Sequence, residues 1–364
     1  MTEPLDSPQV ASAVHGLDES AVAGWMADHI PDLVAPVSFS LIAGGHSNLT
    51  YGATDSAGRQ LVVRRGPLGR SGGGAHDMGR EHRVIAALER TEVPVPAAFA
   101  LCEDETVNGS PFYVMSRVSG AVIDNVAAAD AHLPANAARR RAGEQIVDVM
   151  ADMHRVDVEV IGVGDAGRAD GFLERQVRRF RGLFEQNATR ELPMMNDLAD
   201  RLLAVAPPLR YRGIVHGDYR IGNVMVDAAG SLAAVLDWEL WTIGDVLADL
   251  GFLLNNWYEP DDPAPQVFME VAPTVTGAFG SRADALERYA SRTGFDVSAI
   301  EFYRAFQHWR MGVLAEGVKR RYETAQMANV DVDFAHLSQR VIDLASLSDQ
   351  HLSAWERSGA AAGG

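Results

Sequence analysis

Apolar residues at Val22, Trp25, Met26 and Ile30 recur at helical spacing behind Asp18-Glu19-Ser20, a helix-start signal, and Pro31 follows. This predicts a capped amphipathic helix over residues 18–30. The period then shortens. Runs at 37–42, 49–53 and 60–65 are strand-like, and the turn-forming stretches 43–48 (Ala-Gly-Gly-His-Ser-Asn) and 55–58 (Asp-Ser-Ala-Gly) join them into a predicted antiparallel meander. Helical spacing returns over 78–90 through Val84, Ile85 and Leu88, until Pro94 and Pro96. Two further strands are predicted at 97–101 and 112–115. Beyond Gly120 long helical stretches dominate, such as 137–155 and 171–186. The expected class is α+β, with a small strand-rich part over 1–118, a larger, mainly helical part over 119–357, and a low-complexity tail over 358–364.

Composition narrows the function classes. The 364 residues are 47% apolar and 22% charged, enough for a full core with a soluble surface. With 32 basic against 49 acidic side chains the net charge is -17, which counts against nucleic acid as a partner. No stretch nears the roughly 20 apolar residues of a membrane span. The start, Met-Thr-Glu-Pro-Leu-Asp, lacks the basic and apolar regions of a signal peptide, so the expectation is a cytoplasmic protein without membrane association. Cys102 is the only cysteine, which excludes an intrachain disulfide and a cysteine metal cluster. Lys319 is the only lysine, so any chemistry needing a lysine within residues 1–318 is excluded.

The densest chemistry lies in Ile214-Val215-His216-Gly217-Asp218-Tyr219-Arg220-Ile221-Gly222-Asn223-Val224-Met225-Val226 and in Ala234-Val235-Leu236-Asp237-Trp238-Glu239. Two short apolar strands each carry a carboxylate, with an asparagine five residues after the first and fourteen before the second. Asp and Asn alone are common turn residues, and an ordinary hairpin would use them so. Together they suit metal-assisted phosphoryl transfer, whose loose transition state needs positioning and charge neutralisation more than covalent help. One aspartate accepts the proton of the attacking hydroxyl; the asparagine and the second aspartate hold magnesium on the nucleotide phosphates.

His216-Gly217-Asp218, Asn223 and Asp237 resemble the motifs of the aminoglycoside phosphotransferase and choline kinase family, relatives of the protein kinases. The overall look is similar to the branch that includes the kinase-like domain of some acyl-CoA dehydrogenases. The likeness spans roughly residues 17–330 and implies a bilobal, protein-kinase-like fold using ATP and Mg2+. By this resemblance Asp218 is the catalytic aspartate, Asn223 and Asp237 are metal ligands, and His216 supports the loop. Arg220 becomes either a contact to the transferred phosphate or a salt bridge within the loop.

The resemblance also assigns the nucleotide site. Gly44-Gly45-His46-Ser47-Asn48 is similar to the family's phosphate loop, which makes Gly45, Ser47 and Asn48 candidates; a plain hairpin turn has the same composition. Kinases place a lysine on the next strand, paired to a helix glutamate. Here an arginine stands instead, and Arg64 and Arg65 face opposite sides of a strand, so only one can serve. We take Arg64, with Glu81 as partner, although Glu81 also reads as a solvated helix charge. Met115, and Ser116 and Val118 through their main chains, correspond to the adenine-binding linker. In Gly244-Asp245-Val246-Leu247-Ala248-Asp249-Leu250, Asp245 is expected to cap the next helix and Asp249 to orient the catalytic loop.

The implied activity is ATP-dependent phosphorylation of a small-molecule hydroxyl. Aminoglycosides, choline, sugars and hydroxyacyl-CoA thioesters all remain as acceptors. The alternative is a catalytically weak nucleotide-binding module that regulates a partner, because a missing lysine marks many inactive kinases.

Overall fold

The computed structural model describes residues 14–43, 48–68, 77–262, 271–324 and 333–359. The chain forms two compact units: the first runs to Glu89 and resumes over Pro96–Arg117, and the second holds Arg90–Val95 and everything from Val118. The stretch Arg90–Val95 thus departs from a simple boundary at residue 118. Its reason is a main-chain bond, the Val235 N–H donating to the Pro94 carbonyl at 2.8 Å within the second unit.

The first unit contains α1 (Glu19–His29), β1 (Val37–Ala43), β2 (Leu49–Asp55), β3 (Gln60–Arg65), α2 (Met78–Leu88), β4 (Ala98–Cys102), α3 (Glu105–Asn108) and β5 (Phe112–Ser116). Asp18 caps α1 by accepting the Ala21 N–H at 3.0 Å. One face of α1, through Val22 and Met26, joins Tyr51, Val63, Phe112 and Val114 in a closed core. Each such aliphatic side chain contributes about 1.5–3 kcal/mol by burial. The sheet order is β1-β2-β3-β5-β4, antiparallel throughout. The expected meander therefore holds for three strands only. The almost wholly buried β5 takes the place beside β3, and β4, which exposes Phe99, is left at the edge.

The second unit contains β6 (Ala121–Val122), α4 (Val126–His132), α5 (Asn136–His154), α6 (Phe172–Asn187), α7 (Pro193–Ala204), β7 (Arg212–Val215), β8 (Val224–Val226), β9 (Leu232–Val235), β10 (Thr242–Asp245), α8 (Leu247–Asn255), α9 (Arg282–Thr293), α10 (Ile300–Glu323) and α11 (Phe334–Arg357). Two small sheets, β7 with β10 and β6-β8-β9, carry the loops that matter below. The basic clusters are tied to neighbouring acids, Arg178 to Glu174 and Arg181 to Asp200. Lys319 lies buried in α10, its ammonium 2.7 Å from Glu323 and 2.5 Å from the Thr189 hydroxyl. Among the described residues, no helix is long and apolar enough to cross a membrane.

Candidate active site

Strand β7 delivers the chain into His216-Gly217-Asp218, and this loop is held by its own backbone. Asp249, on the first turn of α8 and fully buried, accepts the His216 N–H at 2.5 Å and the Gly217 N–H at 2.9 Å. One carboxylate so satisfies two donors that would otherwise be orphaned in the interior. Gly217 has φ +86°, and a Cβ there would sit 2.9 Å from the Leu240 backbone oxygen, so glycine is required twice over. The His216 ring bridges the loop to β9: Nε2 lies 2.9 Å from the Leu236 carbonyl and Nδ1 accepts the Asp218 N–H at 3.3 Å. Tyr219 anchors the far side, donating its hydroxyl to the Ile146 carbonyl of α5.

Asp218 keeps one oxygen engaged and one open. Oδ2 accepts the Asn223 amide at 2.7 Å, while Oδ1 lies 3.7 Å from Arg220 Nε, an ion pair too long for a hydrogen bond. Burial pushes the Asp218 carboxyl above the usual range, opposed by Arg220, His216, Asn223 and Arg310. Asn223 spends its amino group on the carboxylate and the carbonyl of Asp218, which turns its amide oxygen away from them. The Leu236 N–H donates to the Asn223 carbonyl at 2.8 Å, and the next residue, Asp237, adopts the left-handed conformation that aspartate tolerates.

These groups fit a hard divalent cation. The asparagine oxygen and the Asp237 carboxylate are oxygen donors, as Mg2+ requires. Among the described residues no cluster of three or more His, Cys, Asp or Glu offers a rival protein cage. A two-ligand set suits Mg2+, which keeps water and substrate phosphate in its shell.

In the first unit, Glu81 on α2 is buried and accepts Arg64 Nε at 2.9 Å, Asn48 Nδ2 at 2.8 Å and the Tyr113 hydroxyl at 3.1 Å. Arg64 and Arg65 do face opposite ways. Arg65 Nη1 donates to the Gly16 and Asn108 carbonyls, at 2.6 and 3.1 Å, so its charge is spent on closing the core.

A model of the phosphotransferase enzyme family matches residues 38–290. The chain belongs to this phosphotransferase family. Acyl-CoA dehydrogenase family member 10 of Mus musculus is 31% identical over 290 residues, which cover 78% of this phosphotransferase but only 26% of that protein. The chain therefore spans about a quarter of that relative's length. The crystal structure of a candidate aminoglycoside phosphotransferase from Ralstonia eutropha JMP134 is 30% identical with a TM-score of 0.79, covering 93% of this chain and 99% of that one. An amicoumacin kinase, solved with AMP-PNP and Ca2+, shares the fold at 16% identity and a TM-score of 0.60, covering 92% and 94%. The phosphotransferase thus has the mixed α/β, kinase-like architecture expected of its sequence, with an antiparallel sheet first and a larger helical part after it.

The remaining expectations meet the structure unevenly. Gly45 and Ser47 lie outside the described residues, whereas Asn48 is placed and points its amide into Glu81. Met115 is buried in β5 opposite Val62. The Ser116 N–H donates to the Ala97 carbonyl at 2.8 Å and its hydroxyl accepts the Ala97 N–H, so that part of its main chain is engaged within the sheet. Asp245 is not the residue that starts α8; it ends β10, and its carboxylate reaches past Val246 to accept the Leu247 N–H at 3.3 Å and the Tyr303 hydroxyl at 2.7 Å. Burial raises its pKa to about 6. One residue near the loop was not anticipated: Arg310 on α10, whose Nη2 donates to the Gly217 carbonyl at 3.0 Å.

Proposed function

We propose that this phosphotransferase moves the γ-phosphate of ATP to a hydroxyl of a small molecule. The observation that carries the reading is the half-engaged carboxylate of Asp218, fixed through Oδ2 by Asn223 and open at Oδ1. The acceptor oxygen would bond to the γ-phosphorus as the bridging oxygen leaves with ADP, and its proton would pass to Asp218. Desolvation makes that carboxylate a stronger base than a solvated one.

Asn223 and Asp237 would hold Mg2+, which supplies charge neutralisation on the phosphates when bound. Arg64, fixed by Glu81, would hold the non-transferred phosphates, and its planar fork suits them as well as a lysine. Arg220 would touch the transferred group, with Asn48, Gly45 and Ser47 on the phosphates, and Met115 and the Val118 main chain on adenine. The amicoumacin kinase bound to AMP-PNP and Ca2+ supports a nucleotide and a divalent cation here. The dehydrogenase relative supports testing hydroxyacyl thioesters beside aminoglycosides and sugars.

The test is ADP release with ATP and Mg2+ over a panel of hydroxyl compounds, beside an Asp218→Ala control. Acceptor-dependent ADP that vanishes in the control is the expected result. Nucleotide binding without turnover on any acceptor would favour a regulatory module, and no nucleotide binding would sink both.

A further inference from the structure

Helix α10 carries the Arg310 guanidinium among aromatic neighbours, Phe180 and Phe252, where a charge is costly to desolvate. Arg310 Nη1 donates to Gln307 at 3.0 Å and Nη2 to the Gly217 carbonyl, while the group lies over Phe180 and Phe252 at 5.3 and 5.7 Å from the ring centroids. Other arginines of this unit behave differently. Arg288 and Arg292, for example, each grip one carboxylate through Nε and Nη2. Among the described residues no carboxylate bonds to Arg310, and two of its five N–H donors are used.

A second cation sharpens the picture. Arg179, exposed on α6, lies over the same Phe180 ring at 5.7 Å. Like charges converging on one ring disfavour each other, and burial already lowers the Arg310 pKa with Arg179 adding to it, against the pull of Asp218 and Asp249. Cation–π contact is worth about 0.5–2 kcal/mol and does not replace a counter-ion. Between the two rings, the fork bonds to the carbonyl of Gly217, the residue before Asp218.

We propose that Arg310, with Arg179 beside it, receives an anionic group of the acceptor, so that the compound phosphorylated is a hydroxyl compound bearing a carboxylate or phosphate and not a polycation. The proposal rests on Asp218 being the base that meets the acceptor hydroxyl. It gives the guanidinium a bidentate partner from the substrate itself, the pairing to which its geometry is matched. It also sets a charge requirement that a polycationic aminoglycoside violates.

The experiment measures kcat and KM with ATP for matched acceptors: ω-hydroxy carboxylates and ω-hydroxy phosphates of increasing chain length, the corresponding amides and diols, and kanamycin. Wild-type protein should favour the anionic member of a pair by at least about tenfold in kcat/KM, the equivalent of about 1.4 kcal/mol. The better of the carboxylate and phosphate series names the anion. Arg179→Gln, on the surface, should raise KM for the anion about fivefold or more and leave that of the neutral twin within about twofold. Arg310→Lys should keep part of a preference that Arg310→Gln loses. A wild-type preference for neutral or cationic acceptors, or an equal loss for both members of each pair in both Gln variants, overturns the proposal and leaves the phosphotransfer reading standing. No turnover with any acceptor overturns that reading, and this proposal falls with it.

Discussion

Two carboxylates, the buried Glu81 of the first unit and the half-buried Asp218 of the second, are used in opposite ways. Glu81 accepts Arg64, Asn48 and Tyr113, so its charge is consumed in fixing other side chains. Asp218 accepts a side-chain bond from Asn223 alone, with Arg220 beyond bonding reach, so half of it remains available. A saturated carboxylate positions; a half-saturated one can take a proton. The loop around Asp218 stays rigid because its stiffness comes from Asp249 gripping the backbone and not from bonds to the reactive group.

The sharpest way to break this contrast is Asp218→Asn, nearly the same shape without the base. Turnover should fall by about a thousandfold with little change in thermal unfolding; a loss below tenfold would place the base elsewhere. Asp249→Asn should cost about 3 kcal/mol in a urea unfolding midpoint, because one of two buried N–H groups loses its acceptor, and turnover should fall with it. Arg64→Ala should lower kcat/KM for ATP by about ten- to a hundredfold, whereas Arg65→Ala should mainly lower stability, its donors being bound to backbone carbonyls. Equal effects on ATP would show that facing does not separate the two.

The smallest effect concerns pH. Asp245 is raised to about 6 by burial against an unfolded value of 3.8, so folding favours its neutral form. Its ionisation costs stability above pH 6, the cost fades as pH falls through 6, and it is gone below about 4. Melting temperatures between pH 4.5 and 8 should therefore fall more steeply for the wild type than for Asp245→Asn, by the equivalent of about 2 kcal/mol. Parallel profiles would contradict a carboxyl at the end of β10 that burial holds in its neutral form.

Much of the fold was legible in the sequence where a local signal coincides with a local cause. Asp18 announces α1 because the same carboxylate caps it. Residues 60–65 read as a strand because their short apolar run, Leu61-Val62-Val63, is buried on both faces of the sheet. The order of β4 and β5 was not legible, since it follows from which strand buries both faces and not from chain order. Asp245 was placed as a cap because Asp commonly is one; here β10 runs into α8 with Val246 alone between them, and the carboxylate reaches over it. The His-Gly-Asp loop carries its own signature. Arg310, 92 residues from Asp218, has none in that motif. Helix α10 holds several charged residues, Arg304, Arg310 and Glu316 among them, and its sequence does not say which of them faces the loop.

The solitary Lys319 has a practical consequence. Its ammonium is buried and shared between Glu323 and Thr189, so reagents that acylate exposed amines will find no reactive lysine side chain on this protein. Nucleotide probes that tag kinases by acylating the phosphate-binding lysine will pass it by, even with the probe seated. In a survey built on such labelling it would register as silent whatever its turnover. Reagents that recognise guanidinium groups, or a photoreactive nucleotide, would be needed to see it work.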